Sequence, residues 1–310
     1  MTINISFCID ENYVCQLGAA LCSLVQSNSQ NEISVYVLSN DLKLESKIRL
    51  RNVISNTSSF SLTFINSTDE QVKKLTAGGH ISAATYIRFE LPDRLFHLKK
   101  VLYLDADLII SDDLSSLWNV DIGNNFVGAV ENPFFDRYSS LGMSSKFGYF
   151  NAGVLLINLS LWRKNGVKDH VIDFLISHKK EAIMYDQDAL NATFKGHWFK
   201  LPLRWNLQTP FLRRKRDLPD LKVEINDAFM KPGIVHYSTS SKPWDLFNSH
   251  PLKYLFKFQQ SNFGKVAVPI LPYSMLRGII KWGYMNVVFS YQIGFLTYFK
   301  SKFSSFKEKK

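Results

Sequence analysis

Two carboxylates one residue apart, Asp105 and Asp107, interrupt the run Val101-Leu-Tyr-Leu-Asp105-Ala-Asp107-Leu-Ile-Ile110. The run is apolar and rich in branched side chains, the composition of a buried strand. In an extended chain residues i and i+2 share a side, so both carboxylates are expected to project together from near a strand end. Like charges held there repel and resist desolvation unless a cation lies between them. An oxygen pair with room for further ligands suits a hard divalent ion, Mn²⁺ or Mg²⁺. An isolated Asp-x-Asp is more often a solvated acidic turn, so the rest of the chain must decide. Far along it, Ile234-Val-His236 ends an apolar run, and Lys242-Pro243-Trp244 follows Ser238–Ser241. His236 is the candidate third ligand for the pair. Lys242 is a candidate phosphate clamp, and Pro243-Trp244 would fix its loop.

The elements that position these residues are readable from periodicity. Strands are expected at Ile3–Ile9, Ile33–Leu38 and Phe60–Ile65. Helical spacing of Leu17, Ala20, Leu21 and Leu24 follows the first strand, and a charged amphipathic helix is expected around Leu42–Ile54. Strand–helix alternation implies an α/β fold whose sheet is parallel and covered by helices on both faces. Ligands of such sheets bind at the carboxyl ends of strands. Asp10, Asn12 and Tyr13 stand at the end of the first strand. An Asp-x-Asn pair there can hold a nucleotide's ribose or base; equally, Asp10 can cap the next helix. Ala83–Phe89 is expected to form a helix facing the sheet, carrying Arg88 toward a carboxylate or a phosphate. Further strands are expected at Phe126–Val130 and in the apolar run after Asn151. Tyr185-Asp186-Gln187-Asp188 opens a helix, either as contacts to sugar hydroxyls or as an acidic first turn favoured by the macrodipole. The basic run Arg213–Arg216 is expected in a solvated loop. Neither a Gly-x-Gly-x-x-Gly after the first strand nor a Walker loop occurs, so a bound phosphate would need a metal and side chains.

The 310 residues carry 37 Lys and Arg against 27 Asp and Glu, a net charge of +10. The surplus is concentrated after residue 264, where eight basic residues face the single acid Glu308. Such tails favour anionic membranes or nucleic acid. Residues 282–299 carry no formal charge but are interrupted by Asn286, Ser290, Gln292 and Thr297 and are rich in aromatics. That composition favours lying in a membrane interface over spanning it, with packing on the main domain as the alternative. Cys8, Cys15 and Cys22 match neither a metal spacing nor an even disulfide set, which points to a reducing compartment. The amino-terminal residues lack the basic and apolar regions of a signal peptide.

Four blocks in order give the chain a resemblance to a known family: Phe7-Cys-Ile-Asp10-Glu-Asn12-Tyr13; Thr85-Tyr-Ile-Arg88 with Val101–Asp107; Phe150-Asn151-Ala-Gly-Val-Leu-Leu-Ile-Asn158 with Asp186-Gln187-Asp188; and His236-Tyr with Lys242-Pro-Trp. The sequence resembles the family 8 glycosyltransferases, retaining enzymes that include bacterial lipopolysaccharide and lipooligosaccharide galactosyl- and glucosyltransferases. The resemblance runs from Ile3 to about Trp244. It implies a GT-A type catalytic domain over residues 1–263, with a mostly parallel central sheet, followed by a helical basic and aromatic tail at 264–310. It also implies a UDP-hexose donor and Mn²⁺ held by Asp105, Asp107 and His236. Asp10, Asn12 and Tyr13 would hold uridine, with Cys8 and Ala106 among the donor-binding residues, and Lys242 would meet phosphate. Arg88, Asn151, Asp186, Gln187 and Asp188 would line the donor sugar, the last three as the catalytic group. His80 and Asn132 fall where the family meets donor sugar or acceptor.

The acceptor implied is a glycan, lipid-linked and reached at the inner face of a bacterial cytoplasmic membrane; no nucleic-acid partner is expected. Two positions depart from the family pattern: Thr239 stands where a Gly usually follows the metal-binding His, and Asn132 where relatives often have Asp. The alternatives are an inverting GT-A glycosyltransferase, which would need a carboxylate base, and a non-catalytic protein binding nucleic acid or membrane through its basic tail.

Overall fold

The computed structural model of the protein describes residues 2–75 and 83–264. His80 and the tail from residue 265 lie outside the described residues. Apolar and branched runs form strands β1 (Thr2–Cys8), β2 (Glu32–Ser39), β3 (Phe60–Asn66) and β4 (Lys100–Leu104). Six more follow: β5 (Leu108–Ile110), β6 (Val127–Glu131), β7 (Phe150–Asn158), β8 (Trp198–Lys200), β9 (Leu207–Gln208) and β10 (Ile234–His236). The longer helices are α1 (Val14–Ser27), α2 (Leu44–Ile54), α3 (Val167–Ser177), α4 (Asp186–Phe194), α5 (Lys222–Met230) and α6 (Lys253–Phe263).

Seven strands form one sheet in the order β3-β2-β1-β4-β7-β6-β8. All are parallel to one another except β7, which pairs antiparallel with both β4 and β6. β7 is reached through a long loop rather than a crossover helix, which leaves it free to run against its neighbours. The sheet is buried on both faces, as its near-continuous apolar strands require. On one face Ile5, Phe7, Leu102, Leu104, Val154 and Leu156 pack with Leu17, Leu21 and Leu24 of α1. On the other, Val101, Tyr103, Leu155 and Ile157 pack with the Ala83–Glu90 turn, α3 and α4. Each fully buried aliphatic side chain contributes roughly 1.5–3 kcal/mol. α1 also carries α6: a Cβ on Gly18 would meet the Phe263 ring at 2.3 Å, so only glycine allows that approach.

Two expectations change. Ala83–Glu90 is a 3₁₀ rather than an α-helix. Val101–Ile110 is not one strand: β4 ends at Leu104, and β5 belongs to a second, three-stranded sheet ordered β5-β10-β9. The Asp pair therefore lies where the chain passes from one sheet to the other. The basic run at 213–216 is largely exposed, around the end of a short helix, Thr209–Arg213, and a 3₁₀ turn, Lys215–Asp217.

Candidate active site

The passage between sheets explains how the two carboxylates converge without an extended backbone. Asp105 N–H donates to the Gly153 carbonyl at 2.8 Å, which extends the β4–β7 ladder by one residue. Two residues later Tyr237 N–H donates to the Asp107 carbonyl at 3.1 Å, and Leu108 pairs with His236. β10 thus brings His236 alongside Asp107. Its Nε2 lies 3.3 Å from Asp107 Oδ1 and 3.7 Å from Asp105 Oδ2. Ligand atoms of Asp105, Asp107 and His236 all lie within 4.8 Å of one another. β7 presses against this cluster from behind. A Cβ on Gly153 would sit 2.2 Å from His236 Cε1 and 2.7 Å from Asp105 Oδ2.

Cations balance the buried acids. Lys242 Nζ donates to Asp107 Oδ2 and, at 2.9 Å, to the Tyr237 carbonyl. Burial would push the Asp107 carboxyl up, but Lys242 and His236 outweigh it and hold the group below the ordinary carboxylate range. Arg88, 3% exposed, donates to Asp105 Oδ1 at 3.0 Å and to the Ala152 carbonyl at 2.7 Å, and it lies 3.1 Å from Asp186 Oδ2. Its guanidinium stacks 4.1 Å from the centre of the Tyr103 ring, whose hydroxyl donates to Asp105. Of the two roles open to Arg88 from sequence, it takes the carboxylate one. Burial and the Asp105 charge raise Asp186 to about 6, against the lowering effect of Arg88.

These groups border a cleft at the carboxyl ends of β1 and β4. The order of the sheet reverses between those strands, the usual ligand position in an open α/β sheet. Cys8, Asp10, Tyr13, Arg88, Asp105, Ala106, Asp107, Asn151, Asp186, Gln187, His236 and Lys242 all line it. Trp244 packs edge-on to Tyr13 and against Phe256, which fixes the Lys242 loop.

Three expected residues do not line the cleft. Asp188 follows Asp186 by two helical positions, about 200° around the axis, so the two cannot face the same space. The fully buried Asp188 instead accepts from Tyr149 Oη, from Met184 N–H and from Arg137. Asn12 is exposed in the 3₁₀ turn Glu11–Tyr13, and its N–H donates to Asp10 at 2.9 Å. Asp10 therefore both caps that turn and borders the cleft. Asn132 accepts from Phe134 N–H at 3.2 Å within its own loop. One buried residue was not anticipated from sequence: Asn206, which meets His236 Nδ1 at 2.9 Å. A lone Asn in Arg204-Trp-Asn-Leu carries no spacing signal.

A mostly parallel sheet with a carboxylate pair, an imidazole and a lysine at its carboxyl edge is an α/β ligand-binding fold with a site suited to a divalent cation. The chain belongs to glycosyl transferase family 8, whose sequence pattern matches residues 4–247. It is 31% identical over 261 residues to General stress protein A of Bacillus subtilis (strain 168), covering 81% of this chain and 90% of that protein. It is 25% identical over 275 residues to the lipopolysaccharide 1,3-galactosyltransferase of Salmonella typhimurium, covering 84% and 78%. The crystal structure of galactosyltransferase LgtC with donor and acceptor sugar analogues superimposes with a TM-score of 0.75 at 26% identity, covering 89% of this chain and all of that one.

Proposed function

We propose that this enzyme is a retaining, Mn²⁺-dependent transferase that moves galactose or glucose from a UDP-sugar to a cell-surface saccharide. The convergence of Asp105, Asp107 and His236 beside Lys242 carries the reading. Two oxygens and one imidazole nitrogen leave a divalent ion with open positions for a diphosphate, and the nitrogen favours Mn²⁺ over the harder Mg²⁺. Bound there, the ion would act as a Lewis acid toward the leaving diphosphate.

Lys242 adds positive charge beside the departing oxygens. Asp10 and Tyr13, at the β1 end of the cleft, hold the uridine. Asn151 and Asp186 border the donor sugar, and Asp186, held by Arg88, adds negative charge that favours an oxocarbenium-like centre. Gln187 is the residue on the reactive face. Its Oε1 already accepts from Asn151 Nδ2 at 2.9 Å and from Ala152 N–H at 3.0 Å, which leaves no free lone pair for attack on the anomeric carbon. Retention then follows from same-face attack. The sugar–phosphate bond breaks, the acceptor hydroxyl oxygen bonds to the anomeric carbon, and its proton passes to the leaving phosphate oxygen. Product analysis by NMR should give the donor's anomeric configuration, and mass spectrometry of the enzyme under turnover should find no glycosyl adduct. An inverted product contradicts the class, and an adduct on Gln187 or Asp188 contradicts the same-face step.

Residues 1–263 form the catalytic unit in this reading, and the tail from 264 rests on the inner face of the membrane that presents a lipid-linked acceptor. Among the described residues no helix is long and apolar enough to cross a membrane. The approach to the tail is apolar on its surface: Phe247 is 62% exposed and Phe258, on α6, 55%. Aromatics next to a basic segment suit an interfacial position.

A further inference from the structure

Ala152 and Gly153 are consecutive residues of β7, and each N–H donates to a side-chain amide. Ala152 N–H meets Gln187 Oε1 at 3.0 Å, and Gly153 N–H meets Asn151 Oδ1 at 3.0 Å. A backbone N–H can only donate, so the atoms it meets must be oxygens. The orientations of both amides are thereby fixed. Asn151 then turns its nitrogen to Gln187 Oε1, at 2.9 Å. The consequences run outward in both directions. Toward the metal site, the Asn206 atom 2.8 Å from Asn151 Oδ1 must be its nitrogen. Asn206 Oδ1 therefore faces His236 Nδ1, at 2.9 Å, and that ring nitrogen must carry the proton. In the other direction, Gln187 Nε2 donates to Tyr149 Oη at 3.1 Å, and the Tyr149 proton goes to the Asp188 carboxylate. Arg137 and Met184 N–H hold that carboxylate from its far side. All six side chains in the chain are at most 8% exposed.

We infer that Asn206 is a positioning residue: it relays the direction set by the Ala152 and Gly153 amides to His236, keeping the proton on Nδ1 and the Nε2 lone pair turned toward Asp105 and Asp107. Asp188 is the opposite terminus of the same chain and acts through Tyr149 and Gln187, not on substrate. A ligating imidazole whose far nitrogen is held this way has its tautomer and ring orientation set before any ion arrives, and losing such a partner typically weakens metal binding 10- to 100-fold. The inference rests on the metal reading of Asp105, Asp107 and His236.

The test uses the full chain, metal-free and labelled with ¹⁵N-histidine, in buffer alkaline enough to keep the ring neutral. A long-range ¹H–¹⁵N correlation, with His236 assigned from a His236→Gln spectrum, should give the Nδ1–H tautomer; an Nε2–H tautomer overturns the inference without any positioning variant. Asn206→Leu, of similar volume but unable to hydrogen-bond, should lose the tautomer preference and bind Mn²⁺ about 10- to 100-fold more weakly by electron paramagnetic resonance. Asn206→Asp keeps the acceptor toward His236 Nδ1 and should keep the Nδ1–H tautomer, although it loses the donor to Asn151 Oδ1. A role in stability alone would lower the melting temperature of both variants alike without moving the tautomer. Mn²⁺ affinity within twofold of wild type in Asn206→Leu overturns the inference. If Asn206→Leu does not fold, loss of the Nδ1–H signal in Asn206→Asp does so. Wild-type protein that binds no Mn²⁺ sinks the metal reading, while the tautomer still tests the relay.

Discussion

Single residues divide by how unusual they are for their surroundings. Asp105, Asp107 and His236 are charged or polar groups at the ends of apolar runs, and that contrast makes them legible in the sequence, with Lys242 legible from the Lys-Pro-Trp block that follows His236. Asp188 was legible as part of a cluster, but its surroundings were not: helical geometry turns it away from Asp186 and into a buried pocket with Tyr149 and Arg137. Asn206 had no such contrast, and only the fold brings it to His236. His250 belongs to the same hidden group. It is buried against Tyr237, its Nδ1 accepts from Leu252 N–H at 3.1 Å, and burial followed by the nearby Arg213 charge lowers its pKa to about 3. A histidine with a depressed folded pKa contributes stability that is complete above its unfolded value, near 6.5, and is lost as pH falls toward the folded one. Between pH 7 and pH 4 this loss amounts to about 3 kcal/mol. Urea unfolding at both pH values should show wild type losing about that much more stability than His250→Gln. Equal losses would remove His250 as an acid-sensitive point.

At the level of elements, strand–helix alternation gave β1, β2, α2 and β3 within a residue or two and α1 by its apolar face alone, because each carries a clear period. The break between β4 and β5 was not legible, since Val101–Ile110 is apolar on both sides of the Asp pair and its two halves enter different sheets. The reversed direction of β7 was hidden for a similar reason: a strand buried on both faces reads the same either way. β7 matters most to the site, because its backbone at Gly153 touches the metal-ligand cluster and its two amides orient Asn151 and Gln187. Gly153→Ala should force β7 and β10 apart, weaken Mn²⁺ binding at least about tenfold and cost about 1–3 kcal/mol of stability. Mn²⁺ titration alongside thermal unfolding checks both. Unchanged metal affinity would mean that the approach of β7 is not needed to seat His236.

Across the whole molecule, one α/β unit places Asp10 and Tyr13 at the end of β1 and the Asp105–Asp107–His236 cluster at the end of β4, and both sets border the cleft. The family pattern covers residues 4–247 and so includes both sets. The basic excess after residue 264 lies beyond it. If the tail is the membrane-facing part, removing residues 265–310 should abolish flotation with anionic vesicles while UDP-hexose hydrolysis in solution stays unchanged. Retained flotation would assign membrane contact to the catalytic unit instead. In the proposed function, Asp105, Asp107 and His236 hold the divalent ion that drives departure of UDP. The most direct measurement of this role is UDP release from UDP-galactose and UDP-glucose by the wild type and by Asp107→Ala, each with Mn²⁺ and with chelator. Mn²⁺-dependent release is expected with at least one of the two donors, and a fall of about a hundredfold or more in Asp107→Ala even at high Mn²⁺. Release by the wild type that is indifferent to chelator, or near wild-type turnover in Asp107→Ala, would contradict that role.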